Sequence, residues 1–268
     1  EGCSNRCGYC IIPKLRGPYR SRQMDALLRE AQALSDAGVK ELIVIAQDIT
    51  KYGMDLPEHK RLLPELLRRL CEMDFRWVRL HYLYPDQITD ELIDVIASEP
   101  KIVKYLDIPL QHVSKRILRA MHRPGDGAEF AALIADLRAR IPGLVLRTSL
   151  IVGLPGETED EFAELCTFLQ ETQIERVGVF EFSPEEGTEA AELPDQIDTE
   201  TKANRRLIVE ELQSGVLDDY NTSRHGEVMD VLCEGWDDEQ QLWFGRTYAD
   251  SVEVDGHVYF QSDAEPQA

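Results

Sequence analysis

The sequence has no long apolar run. Nothing in its 268 residues approaches the roughly 18 consecutive apolar residues of a membrane-spanning helix, so no membrane span is expected. The opening residues are polar and carry no apolar core of the kind a secretion signal needs. Basic charge is scarce: 29 Lys and Arg stand against 50 Asp and Glu, for a net charge of −21. Such a surface repels phosphate backbones, which argues against broad nucleic-acid binding, and it attracts basic partners. A disulfide framework is missing too. Of six cysteines, Cys71, Cys166 and Cys233 are scattered in apolar contexts and read as core thiols. Cys3, Cys7 and Cys10 crowd into one loop. That usage suits a reducing, cytoplasmic compartment. What remains is ordinary globular material, 43% hydrophobic and 29% charged, enough for one large α/β domain and a small appendage.

Apolar periodicity predicts helices over 23–37, 61–73, 89–98, 114–121, 126–140, from 158 onward, and over 199–220. Between them, short apolar runs predict strands at 41–48, 77–83, 105–110, 144–153 and 176–183. Thr89 is a candidate N-cap, and Thr158 with Glu161 a capping box. Strand and helix alternate in the rhythm of βα units around a parallel sheet. A ligand-bearing loop should follow a strand, yet Glu1 opens the sequence, so a further strand upstream is expected. Six strands are too few for a closed eight-stranded barrel and enough for an open, partial (β/α)6 one. The barrel is expected over 1–225. Over 226–268 short strands at 227–233, 242–248, 251–254 and 257–260, with turns at Asp237-Asp238 and Asp255-Gly256, predict a small all-β domain with a disordered tail from 262. That domain is acidic: Glu227, Asp230, Glu234, Asp237, Asp238, Glu239, Asp250, Glu253, Asp255, Asp263 and Glu265 accompany a single Arg246.

The predicted strands are not uniformly apolar, as doubly buried strands should be. Arg79 and His81 share a face, as do Asp107, Pro109 and Gln111, then Arg147 and Ser149, then Glu181 and Ser183. Apolar faces against the helices leave the polar faces in a common interior. That interior is either a network of ion pairs, such as Arg147 with Asp107 or Glu181, or a polar ligand cavity.

Three thiolates on one loop bind a soft metal. Structural zinc wants four ligands, which His59 or His81 could complete through folding. An iron–sulfur cluster held by three cysteines leaves one iron open, suited to a ligand with an amine and a carboxylate.

The spacing C-x3-C-x2-C, with Tyr9 before the last cysteine, resembles the radical S-adenosylmethionine superfamily, whose fold is a partial (β/α)6, TIM-like barrel. The stretches around Glu1–Pro13, Tyr105–Gln111, Ile151–Thr158 and Phe182–Thr188 are similar to the methylthiotransferase family within it. Ala46–Gly53, Leu80–Pro85 and Pro109–His112 resemble its RimO-type branch, which methylthiolates an aspartate β-carbon in small-subunit ribosomal protein twelve, rather than the transfer-RNA branch. The β domain falls where the family carries TRAM, a substrate-binding module. A TRAM that grips RNA should be basic; this one is acidic, which suits a basic ribosomal protein.

The resemblance implies that Cys3, Cys7 and Cys10 ligate a [4Fe–4S] cluster and that S-adenosylmethionine binds the open iron. One-electron cleavage then yields a 5′-deoxyadenosyl radical that removes a hydrogen from the substrate. Tyr9 and Gly153 would lie near the adenine, Gln111 and Arg147 would meet the ribose and carboxylate, and Gln47 and Ser183 would add contacts. Flavodoxin or ferredoxin would supply the electron. A second cluster, tied to sulfur supply, belongs to an N-terminal domain that these residues do not include, so sulfur insertion is in doubt for this segment. A transfer-RNA substrate, and a non-catalytic zinc-bound or substrate-binding fragment, stay open as alternatives.

Overall fold

The structure, a computed structural model, describes residues 1–263 and Pro266. Most of the tail expected to be disordered lies outside the described residues. After the cysteine loop come α1 (Ile12–Arg16), α2 (Met24–Asp36), β1 (Glu41–Val44), α3 (Leu63–Cys71), β2 (Trp77–Leu80), α4 (Asp90–Ser98) and β3 (Ile102–Asp107). Then follow α5 (Lys115–Ala120), α6 (Gly127–Arg140), β4 (Val145–Val152), α7 (Glu159–Thr172), β5 (Arg176–Glu181), α8 (Glu189–Glu192) and α9 (Thr199–Ser223). The five strands β1 to β5 form one parallel sheet in sequential order. Sequential parallel strands returned by helices wind as a barrel does.

Local chemistry sets the helix starts. The Thr89, Ser114, Asp126 and Asp198 side chains each accept a backbone N–H in their helix's first turn. Thr158 and Glu161 close a full capping box on α7. Leu67 of α3, Ile96 of α4 and Leu165 of α7 are buried against Leu80, Leu106 and Leu150 of the sheet. Each such side chain contributes about 1.5–3 kcal/mol on leaving water.

β6 (Leu232–Asp237), β7 (Leu242–Arg246) and β8 (Val258–Phe260) make a separate antiparallel sheet. Two expectations are corrected. The first strand begins at Leu232 rather than 227: the ladder with β7 starts at Leu232, residues 227–231 pair with no strand among the described residues, and Val228 is exposed. Residues 251–254 are a turn, not a strand. Their polar groups are spent elsewhere: Ser251 N donates to Asp255 Oδ2 at 2.8 Å, and that carboxylate oxygen also accepts the Tyr105 hydroxyl at 2.7 Å.

Residues 246–255 dock against the N-terminal ends of the barrel strands. Arg79 Nε donates to Glu41 Oε1 at 2.7 Å, and Arg246 Nη2 donates to Glu41 Oε2 at 2.7 Å. Arg79 Nη1 reaches the Tyr248 carbonyl at 2.9 Å, and Arg176 Nη2 reaches Asp250 at 2.8 Å. Trp77, Val103, Tyr105, Val145 and Ala249 pack around this contact. Among the described residues no helix is long and apolar enough to cross a membrane.

Candidate active site

At the other end of the strands lies a cavity of about 610 Å³. Cys3, Cys7 and Cys10 wall it, facing Gln47, Tyr84, Gln111 and Ser149, with Tyr9 between the thiols. The volume is that of an ordinary small-molecule site.

The loop is pinned from several sides. Cys3 N donates to the Gly17 carbonyl at 3.1 Å, Gly8 N to Met121 O at 3.0 Å, and Ala190 N to Gly8 O at 2.9 Å. Gly2 has φ +74°, and a Cβ there would stand 2.2 Å from the Pro18 carbonyl oxygen, so only glycine lets the loop close on itself. Cys3 and Cys7 are buried and Cys10 is half-buried. Burial pushes the Cys3 and Cys10 thiols up. Thiolates are costly there unless a metal centre takes them, and metal binding releases their protons.

The opposite wall also points to a ligand. Gln47 Oε1 is buried without a hydrogen-bond partner, and such an atom wants a donor. Tyr82 and Gln111, both in the wall, have φ of 61° and 71°. Left-handed backbone at bulky residues clusters at ligand sites. Gln111, beyond the end of β3, is held in that state against β4: its N–H donates to Ser149 O at 2.8 Å and its carbonyl accepts Ile151 N at 2.7 Å.

The interior proves to be both of the alternatives, stacked. Its lower part is a buried network. Ser251 Oγ lies 2.9 Å from His81 Nε2, His81 Nδ1 lies 3.3 Å from Asp107 Oδ2, and Arg147 Nη1 donates to Asp107 Oδ1 at 2.9 Å. Burial raises the Asp107 carboxyl, but the His81 hydrogen bond and the Arg147 charge outweigh it and hold the group below its ordinary value. Arg147 also donates to Ser149 Oγ at 3.3 Å, and Ser149 is the floor of the cavity.

Of the residues singled out by sequence, Cys3, Cys7, Cys10, Tyr9, Gln47 and Gln111 therefore come together. Arg147 is engaged by Asp107 and reaches the cavity through Ser149. Gly153 lies off the wall; a Cβ there would meet Lys202 Cγ at 2.3 Å, so its glycine answers to α9 packing. Its turn is gripped by Glu157, whose Oε2 accepts Gly153 N at 2.8 Å and Leu154 N at 3.2 Å while Oε1 pairs with Arg205 at 2.9 Å. Burial pushes the Glu157 carboxyl up to about 7. Ser183 is exposed and off the wall. Sequence reading missed Asn5, whose amide donates to the buried Asp48 at 3.1 Å, and Arg123 and Tyr84 beside Cys7. The quoted Leu80–Pro85 stretch contained Tyr84; nothing in the sequence pattern marked Arg123.

The donor set fits a cluster rather than a lone ion. Among the described residues no three His, Cys, Asp or Glu side chains converge as ligands of one metal ion. The histidines that could have completed a zinc site are elsewhere: His59 is exposed and bonded to the Met54 carbonyl, and His81 is held by Asp107 and Ser251. A [4Fe–4S] cluster instead takes each cysteine on a separate iron.

The comparisons agree with this geometry. Residues 1–169 match the profile of the Radical SAM superfamily, and residues 226–267 match that of the TRAM domain. A protein of Caldanaerobacter subterraneus subsp. tengcongensis, named ribosomal protein uS12 methylthiotransferase RimO, is 49% identical over 98% of this chain and 60% of its own length. One of the same name from Anaeromyxobacter sp. strain Fw109-5 is 51% identical over 97% of this chain and 55% of its own length. The chain thus spans between 55% and 60% of these relatives. Coproporphyrinogen III oxidase (HemN) from Escherichia coli, described as a radical SAM enzyme, superposes with a TM-score of 0.56 at 20% identity, over 81% of this chain and 50% of that one. Streptococcus suis SuiB gives a TM-score of 0.54 at 17% identity, over 84% and 45%. At those identities the likeness speaks for the fold. With a partial parallel barrel, three cysteines walling its open end and the superfamily profile matched over residues 1–169, this chain belongs to the Radical SAM superfamily.

Proposed function

We propose that this chain is the radical S-adenosylmethionine and TRAM portion of an enzyme that adds a methylthio group to the β-carbon of an aspartate in ribosomal protein uS12. One observation carries the reading: identity of 49% and 51%, over nearly the whole chain, to proteins named for that reaction. In this reading Cys3, Cys7 and Cys10 hold the [4Fe–4S] cluster, which supplies the electron for reductive cleavage of S-adenosylmethionine. Tyr9, Gln47 and Gln111 orient the cofactor in the cavity. Gln47 Oε1 takes a donor from it, and the Asp107–Arg147–Ser149 line holds the floor. Gly153 and Ser183 act at most through the segments next to them. A second cluster, for sulfur supply, belongs to the part of the relatives that this chain does not span. A small electron-transfer protein, flavodoxin or ferredoxin, is the reductant, in the cytoplasm.

Charge supports a protein substrate, with one refinement. Part of the acidity of the β domain is neutralised: Glu234 pairs with the buried Arg246 and Asp250 and Asp255 with Arg176, while Asp230 with Arg76 and Glu227 with Arg224 form pairs at the surface. Asp238, Glu239 and Glu253 stay exposed, and exposed Trp236 and Tyr259 share the same small domain. Acidic and aromatic groups together suit a basic polypeptide.

The test is anaerobic reconstitution followed by two measurements. About four irons per chain and 5′-deoxyadenosine formed from S-adenosylmethionine are expected. So is retention of uS12, in preference to transfer RNA, on immobilised chain. Preferential retention of transfer RNA would move the chain to the other branch of the family. One zinc with no 5′-deoxyadenosine would end the enzymatic reading.

A further inference from the structure

Arg123 follows α5 and lies behind the cysteine loop, 5% exposed. It does not line the cavity. Its Nη1 lies 3.9 Å from Cys7 Sγ, its Nη2 donates to the Pro109 carbonyl at 2.6 Å, and its guanidinium sits 4.6 Å from the centre of the Tyr84 ring. The Tyr84 hydroxyl is itself 3.8 Å from the same sulfur. Among the described residues no carboxylate forms an ion pair with Arg123, and its Nε has no partner. Other buried arginines of the chain, Arg79, Arg205 and Arg246, each meet a carboxylate. A guanidinium stays charged in proteins, and a buried charge without an opposite one is costly.

We infer that the counter-charge of Arg123 is the Cys7 thiolate together with the cluster it ligates, and that Arg123 and Tyr84 are positioning residues that raise the cluster's reduction potential. Each electron added to the cluster adds one negative charge. A fixed cation and a hydroxyl donor at a ligating sulfur favour the more negative state. Among the described residues no cation is within hydrogen-bonding reach of the Cys3 or Cys10 sulfur, although the Arg123 charge is also felt at Cys10; the Cys3 sulfur accepts the Asn5 backbone N–H at 3.4 Å. The stabilisation is therefore greatest at the Cys7 corner of the cluster. The inference rests on the cluster and is independent of which substrate is modified.

The test is an electron paramagnetic resonance titration of the reconstituted parent chain, Arg123→Met, Arg123→Lys and Tyr84→Phe, with iron content measured on each sample. Arg123→Met is expected to load iron and to lower the reduced-to-oxidised ratio at fixed potential at least tenfold, about 59 mV for one electron. Arg123→Lys, which keeps the charge, should recover most of that loss. Tyr84→Phe removes one hydroxyl and should shift the potential the same way by less. A purely structural role would lower thermal stability and leave the potential unmoved. If Arg123→Met does not load iron, Tyr84→Phe decides. An unchanged potential in whichever of these two carries a full complement of iron overturns the inference. A parent chain that takes up no iron would instead refute the cluster itself.

Discussion

The two ends of one barrel are built on opposite principles. At the N-terminal ends of the strands almost every buried charge is answered: Arg79 and Arg246 share Glu41, Arg176 meets Asp250, and the Tyr105 hydroxyl meets Asp255. At the C-terminal ends polar groups are left waiting. Among the described residues Gln47 Oε1 has no partner, Arg123 has no carboxylate, and burial makes the Cys3 and Cys10 thiols hard to ionise where they stand. The lower end draws on residues of the strands themselves, Glu41, Arg79, Tyr105 and Arg176, and the upper end on loops beyond them, which carry the three cysteines, Gln47 and Arg123. The lower end is closed by residues of this chain, some of them far along it: Arg246 is separated from Glu41 by 205 residues. The upper end is shaped for something the chain does not itself supply. A satisfied network stabilises and an unsatisfied one binds.

Breaking the upper end should have the largest effect. Cys7→Ala is expected to abolish stable cluster binding and 5′-deoxyadenosine formation while leaving the melting temperature of the metal-free chain nearly unchanged. Iron analysis and calorimetry on the same preparation read both. A large drop in metal-free stability would mean that the two ends are not separable.

Breaking the lower end should cost stability instead. Glu41→Ala strands Arg79 and Arg246 without their shared carboxylate, a loss of about 3–5 kcal/mol for a buried pair. At about 2–4 °C per kcal/mol for a domain near this size, thermal denaturation should shift by many degrees. Iron uptake in the cold should persist. A shift within error would show that the seam between the two domains is open in solution.

Asp107 sits where the two ends meet, so its replacement sharpens the boundary. Asp107→Asn should cost about 1.5–3 kcal/mol, the value of hydrogen bonds to a charged group. The sign of its pH dependence follows from the lowered carboxyl. Its contribution is fully present above the ordinary carboxylate value and is lost as pH falls through the depressed one. Chemical denaturation from pH 7 downward should therefore show the parent losing stability in acid more steeply than Asp107→Asn; parallel curves would remove Asp107 from the network. Ser251→Ala deletes one hydrogen bond to His81 and should cost about 1 kcal/mol. An effect near zero would mean that the His81 ring turns to another acceptor.

Sequence alone carried a good deal of this molecule. Alternating short apolar runs and helical periodicity specified five parallel strands because each βα unit is a local pattern, and the structure has those five in order. The spacing of Cys3, Cys7 and Cys10 marked a shared ligand site because residues that close in the chain cannot be far apart in space. The alternation of polar and apolar residues on β2, β3 and β4 announced a polar interior. It could not say which polar residues would neutralise one another, since that depends on register across strands and on what covers the barrel end.

The tertiary structure decided the rest. It placed Arg123 against Cys7, 116 residues away, a contact that no local period encodes. It turned residues 251–254 from an expected strand into a turn docked on the barrel, where Ser251 bonds His81 and Asp255, and Asp255 in turn takes the Tyr105 hydroxyl. It split one polar interior into a closed floor and an open mouth. Short-range patterns determine which elements form and which face they bury; the pairing of charges across the fold determines where burial is satisfied and where it is left open to bind.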